Sequence, residues 1–238
     1  DLGTSLIYNR PVLGLILERM QASLELAFLS IMLALLVGCF LGLCAATSSS
    51  KFVKDSILLL SVGATAIPNF LLASVFIWIF SVKYGLFPVS GKDSLSTYVL
   101  PSITLGLSLA SIISRVSYNA IYENIKTDFF LTAKAKGIPY WKIIFKHVLK
   151  NASISIVTIA SLQFGSLVTG AIITERIFDW PGLGSLIVEA LGNRDEPLIK
   201  GCILFFAFSY LIVNLLTDVF YAYVDPRIRF NKSITEDS

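Results

Sequence analysis

Histidine is almost missing from this 238-residue chain, with His147 the only one. Cysteine is nearly as scarce: Cys39, Cys44 and Cys202 fall inside apolar runs and at no paired spacing. These shortages exclude a disulfide framework and a His/Cys metal centre, so no metal site is expected and the cysteines read as small buried hydrophobes. Charged residues make up 15%, against about 25% in soluble domains. No Ser/His/Asp set or pair of catalytic carboxylates stands at membrane depth, so no catalytic residues are expected. The sole Gly-Lys pair, Gly91-Lys92, is followed by Asp93 and is no phosphate-binding loop. The formal charge of +3 is small, and no nucleic-acid partner is expected.

What is abundant is apolar sequence. The chain is 55% hydrophobic, with a mean hydropathy of +0.76. A bilayer core about 30 Å thick needs about 20 apolar residues in helix. Five segments meet that length, at approximately 23–46, 56–82, 98–122, 152–174 and 199–224. They are too long and too uniformly apolar for barrel strands. The expected fold class is therefore all-α, a polytopic membrane protein with 1–238 as one transmembrane domain.

Lys and Arg in the connections set the orientation. Eleven lie on one side: Lys51 and Lys54, six lysines between Lys126 and Lys150, then Arg227, Arg229 and Lys232. Seven lie on the other, from Arg10 and Arg19 to Arg194 and Lys200. The richer side is expected to be cytoplasmic, with Asp1 outside and Ser238 inside. Asp1 is no initiator Met and no signal-peptide pattern follows it, so a further membrane helix upstream is expected.

The longest basic connection, 123–151, has its own design. Thr132-Ala133-Lys134-Ala135-Lys136 contains good helix formers and no breaker. Gly137 suits the left-handed position that ends a helix, and Pro139 the first position of the next. That second helix places Trp141, Ile144, Phe145 and Val148 on one stripe, with Lys142, Lys146 and Lys150 on another face. A rigid corner of this kind fits a handle gripped by a cytoplasmic protein. It fits equally an interfacial helix, with its stripe in lipid and its lysines on headgroups.

Phe129-Phe130-Leu131-Thr132-Ala133-Lys134-Ala135-Lys136-Gly137 resembles the EAA loop of ATP-binding-cassette importer permeases, in the form used by the peptide/nickel family. The resemblance extends through Asp1-Leu2-Gly3-Thr4-Ser5, Arg10-Pro11-Val12-Leu13, Ile67-Pro68-Asn69-Phe70, Trp180-Pro181-Gly182-Leu183-Gly184, Asn193-Arg194-Asp195 and Asp225-Pro226-Arg227-Ile228-Arg229. Wording at Ile67–Phe70 and around Trp180 leans slightly toward nickel-type members. The resemblance implies the type I importer permease fold, with Thr132, Ala133, Lys134, Ala135, Lys136, Gly137 and Pro139 in a coupling helix seated on an ATPase. It also implies a second related permease in a heterodimer, two cytoplasmic ATPase subunits that hold ATP and Mg, and an external substrate-binding protein. The location would be the bacterial inner membrane, and the cargo a small peptide or a nickel or other metal chelate. This chain itself would hold no cofactor. Two positions depart from the family: Leu131 stands where Arg is usual, removing a donor fork, and Lys134 replaces a second Arg.

Polar residues inside the spans are candidates for the translocation path or for interhelical hydrogen bonds: Pro68, Asn69, Gln163 and Asn214. Arg115 and Asp218 lie at similar depth and could form an ion pair tying spans three and five. Glu25, near the outer end of span one, is expected to face interfacial water. Leu183, Leu186, Ile187, Ala190 and Leu191 outline a short amphipathic helix at the outer side. An ion-gradient transporter is the main rival reading, but Asp218 is its only deep carboxylate. A membrane-embedded enzyme is disfavoured by the missing catalytic sets.

Overall fold

The structure is a computed structural model that describes residues 2–224, apart from the side chains of 168–170, 218 and 220–224. Among the described residues it is helical, with ten α-helices. Helix α1 (Val12–Thr47), α2 (Lys51–Ala66), α3 (Asn69–Phe76) and α4 (Val99–Ile125) come first. Then follow α5 (Asp128–Ala135), α6 (Tyr140–Ile143), α7 (Leu149–Gly170), α8 (Ile172–Ile177), α9 (Leu183–Gly192) and α10 (Glu196–Val224). Wider π turns at Ile77–Lys83 and Ile144–Val148 extend α3 and join α6 to α7.

Four stretches are long and apolar enough to cross a membrane: Val12–Thr47, Leu95–Ile125, Tyr140–Leu167 and Glu196–Thr217. The second expected span, 56–82, is not continuous. Its two halves, Lys51–Ala66 and Asn69–Lys83, meet at 96°. The cause is local: Pro68 has no N–H for the helix ladder and drives Ile67 into extended backbone (φ −83°, ψ 121°). The fourth span also breaks earlier than 152–174 implies, since α7 ends at Gly170 and α8 starts at Ile172.

Helix α1 has 36 residues, roughly 54 Å of rise, and starts well before residue 23. Glu18 and Arg19 hide that extension from a hydropathy reading. Val12, Leu15 and Ile16 of the same stretch are buried with Leu183, Leu186, Ala190, Leu198 and Cys202 of α9 and α10. This small core closes one end of the molecule, the far end.

The main core lies along α1 and α4, where Ala27, Ile31 and Ala34 meet Leu105, Ala110 and Ile113. Small residues permit the close crossing. A Cβ on Gly42 would lie 2.5 Å from the Ser117 Cβ and 2.7 Å from the Ser114 carbonyl oxygen, the short backbone approach typical of membrane helix pairs. Helix α7 packs on α4, α1 and α10. At the other end, the elbow end, Lys54 lies over the stacked rings of Tyr118 and Tyr122, and Lys126 lies 4.2 Å from the Tyr122 ring centroid. These cation–π contacts tie the start of α2 to the end of α4.

Candidate functional site

The elbow end carries the α5–α6 projection. Helix α5 begins at Asp128, whose carboxylate favours a helix N-terminus. It stops in a Schellman motif: the Ile138 N–H donates to the Ala133 carbonyl (3.2 Å) and the Gly137 N–H to the Lys134 carbonyl (3.0 Å). Gly137 has φ +75°, the left-handed conformation that glycine adopts at least cost. Pro139 stands one place earlier than its sequence reading, as the N-cap of α6, and its carbonyl accepts from the Lys142 and Ile143 N–H groups.

The elbow is anchored by buried Phe130, Ile143, Ile144 and Val148. The expected stripe is therefore only half right. Ile144 and Val148 face the core, whereas Trp141 and Phe145 are 54% and 60% exposed. The π turn at 144–148 shifts the angular register, so Ile143 takes the buried place. Leu131, Thr132, Lys134, Ala135, Lys136 and Gly137 are exposed, and Ala133 is half-buried. A hollow of about 460 Å³ lies beside them, lined by Phe129, Thr132, Ala133, Lys136, Ile138 and His147. The structure thus brings all the expected elbow residues onto one rigid, solvent-facing corner.

The far end holds groups that sequence reading missed. Glu175 of α8 is 2% exposed. Its Oε2 accepts from the Gly184 (2.7 Å) and Ser185 (3.2 Å) N–H groups, and its Oε1 accepts from the Ser23 hydroxyl (2.6 Å). Ser23 Oγ also accepts from the Leu183 N–H (2.8 Å). The first three amides of α9 are thus capped by a carboxylate and a hydroxyl from two other helices. Burial pushes the Glu175 carboxyl above the usual range, and the bonds from Ser23, Ser185 and Gly184 pull it back. A Cβ on Gly182 would collide with that carboxylate, which explains why glycine stands in Trp180-Pro181-Gly182. Trp180 is fully buried, donates from Nε1 to the Ala22 carbonyl (2.9 Å) and packs edge-on against Tyr98. The only signal for Glu175 was an acidic residue close after an apolar run.

Asp195 forms a second buried node. Its carboxylate accepts from the Ser5 hydroxyl and from the Ile7 and Leu198 N–H groups, strapping the N-terminal segment to the α9–α10 turn. Burial raises its carboxyl, but bonds from Ser5, Ile7, Leu6 and Leu198 outweigh that and hold it below the ordinary 3.8. Its stabilisation is therefore complete above pH 3.8 and is lost as pH falls through the lower folded value. Asp195→Asn should speed amide exchange in residues 2–11 while leaving the α1–α4 core unchanged. Unaltered exchange there would show that Asp195 does not hold the strap.

Glu25 does more than meet water: Lys92 approaches it at 2.6 Å and the Tyr98 hydroxyl donates to it at 2.8 Å. The path candidates are not brought together. Asn69, at the start of α3 just past the break in span two, accepts from the Ser108 hydroxyl of α4, the hydrogen-bonding reading, and Pro68 is exposed beside it. Gln163 and Asn214 lie half-buried on the packed helices α7 and α10. A groove of about 420 Å³ between α1, α7 and α10 is lined by Ile31, Ser161, Phe164, Val213 and Thr217 rather than by either of them. Arg115 donates from Nη2 to Thr65 Oγ1 at 3.3 Å. The Asp218 side chain lies outside the described residues, and so does the 225–229 motif.

Comparison with known proteins places this geometry. Residues 34–230 match the model of the family described as binding-protein-dependent transport system inner membrane component. The glutathione transport system permease protein GsiC of Salmonella typhimurium is 38% identical over 230 residues, 97% of this chain and 75% of that protein. GsiC of Escherichia coli K12 is 36% identical over the same shares. Neither name mentions nickel, so the lean toward nickel-type members gains no support. Among solved structures, an inward-facing MetNI methionine transporter superposes with a TM-score of 0.74 at 18% identity, covering 90% of this chain and 98% of that one. An amino acid transporter solved with histidines gives a TM-score of 0.67 at 15% identity, covering 88% and 94%. At such identities these two speak for the fold. Together with the all-helical bundle, these matches show that the chain belongs to the binding-protein-dependent inner membrane component family: it is a multi-pass inner-membrane permease subunit of an ATP-binding-cassette importer, a transport component rather than an enzyme, working in a complex with ATPase and substrate-binding partners.

Proposed function

We propose that the elbow is the coupling element of this importer. Thr132, Ala133, Lys134, Ala135, Lys136, Gly137 and Pro139 form the surface seated on a cytoplasmic ATPase subunit. The observation that carries this is a locked corner, exposed on one side and anchored by Phe130, Ile143, Ile144 and Val148 on the other. Such a part transmits displacement because it cannot flex independently of the bundle. ATP, with Mg, is held and hydrolysed by the ATPase pair. Closure of that pair moves the elbow as a lever and switches the membrane helices between outward- and inward-facing states. The elbow end then faces the cytoplasm and the far end the outside, where a binding protein delivers cargo. A second, related permease completes the path as a heterodimer.

Leu131 is 59% exposed, so an apolar side chain meets the ATPase where relatives of this type present Arg. The polar contacts pass to Lys134 and Lys136. Reversing both charges, Lys134→Glu with Lys136→Glu, should lower ATPase recovery in co-purification by about tenfold or more, as loss of central charged contacts does. Unchanged recovery would remove these lysines from the contact.

The cargo in this reading is a short peptide, as the names of the glutathione permeases indicate for those proteins. ATP-dependent uptake of glutathione by proteoliposomes holding the whole complex tests it, and absence of uptake with the binding protein present would reject glutathione.

A further inference from the structure

We infer that Arg115, aimed by Thr65 beside the break in span two, is a binding station for the C-terminal carboxylate of the cargo. This rests on the peptide reading above and names the group recognised.

Arg115 lies in the middle third of α4, within a membrane-crossing stretch. An ionised side chain at such depth needs a partner of opposite charge or a polar cavity. Its described partner is the neutral hydroxyl of Thr65, which uses one of five guanidinium N–H donors and balances no charge. Arg115 takes part in no ion pair among the described residues. The side chain of Asp218, the carboxylate at matching depth, lies outside the described residues.

The surroundings are polar in an ordered way. Ser108, Ser111 and Arg115 follow each other at helical spacing on α4. They meet Asn69, then Thr65 at 2.8 Å, then Thr65 again, across the same break. Ser61 and Ser114 add one more pair at 3.4 Å. Arg115 is half-buried, and Thr65, Ile67 and Pro68 are exposed, so this column reaches the surface of the subunit. A lipid-facing wall would not carry it. Broken helices in transporters line cargo sites for this reason: unwound backbone and polar side chains are tolerated where they border a cavity. A planar guanidinium with free parallel donors fits a carboxylate in bidentate fashion. Short peptides carry a terminal carboxylate whatever their sequence.

The test uses the whole importer in proteoliposomes, with uptake of glutathione and of its C-terminal amide measured side by side. Discrimination by the binding protein is common to all permease variants and cancels in their comparison. Arg115→Gln should lower glutathione uptake by about tenfold or more and amide uptake by less than about threefold, the difference expected for one lost charge-assisted pair. Arg115→Lys should retain part of the preference. Thr65→Val, which keeps the charge but loosens its aim, should reduce the preference without loss of the complex. Equal loss for both peptides, or loss of the companion permease on purification, would make Arg115 a structural tie and overturn the proposal. Wild-type protein that carries neither peptide would instead overturn the glutathione reading, and the station with it.

Discussion

Gly137→Trp is expected to leave the permease folded and inserted but to abolish ATP-driven uptake. A Cβ at this position meets nothing within 4 Å, so the indole has no core to disrupt and can only stand out from the elbow. Forcing an L-residue into φ +75° adds roughly 1–2 kcal/mol of backbone strain, too little to unfold a membrane domain of this size. The effect should therefore fall on docking. A hot-spot-sized loss of about 2 kcal/mol weakens an interface by roughly 30-fold. Gly137→Ala separates the two contributions, since it carries the strain without the bulk. The expected order for ATPase co-purification and uptake is wild type, then a modest drop for Ala, then near-complete loss for Trp. Wild-type uptake in the Trp variant would rule out the elbow as the ATPase seat. Equal losses for Ala and Trp would place the requirement in the turn's conformation rather than its surface.

The second large effect belongs to Glu175. Glu175→Ala removes the acceptor for two buried backbone N–H groups and for the Ser23 hydroxyl. Each unsatisfied buried donor costs about 1–3 kcal/mol, so the loss should exceed about 3 kcal/mol. It should appear as a lower thermal midpoint and a lower yield of the purified complex. Glu175→Gln keeps a carbonyl oxygen for the two amides, and its loss should be near 1 kcal/mol. Comparable behaviour of the two variants would show that the α9 cap is not what Glu175 provides. The pH dependence has a definite sign. Burial holds the carboxyl above the ordinary value of 4.5, so ionisation is less favourable in the fold than in the unfolded chain. Wild-type protein should therefore gain stability relative to Glu175→Gln as pH falls through the raised folded value toward 4.5.

The elbow was readable residue by residue because its determinants are local. A glycine with a left-handed requirement and a proline two places on define a corner without reference to the rest of the chain. The exposure of Trp141 and Phe145 was not readable there, because a π turn shifts the helical register and α4 and α7 decide which residues they cover. Glu175 was invisible for the opposite reason: its three donors come from Ser23, 152 residues away, and from a helix that follows a turn. Nothing in the neighbourhood of a lone glutamate announces such partners.

By itself the sequence determined an all-helical membrane domain, the approximate places of its apolar spans, the elbow, and the importer family that the ordered motifs resemble. Those properties follow from hydropathy and backbone chemistry summed over short windows. Only the tertiary structure decided that span two folds back at 96°, that α1 begins as early as Val12 and closes a second core, and that Arg115 points to Thr65. Each depends on which helix lies against which. That choice is made by close approach of small residues and satisfaction of buried polar groups between segments distant in the chain.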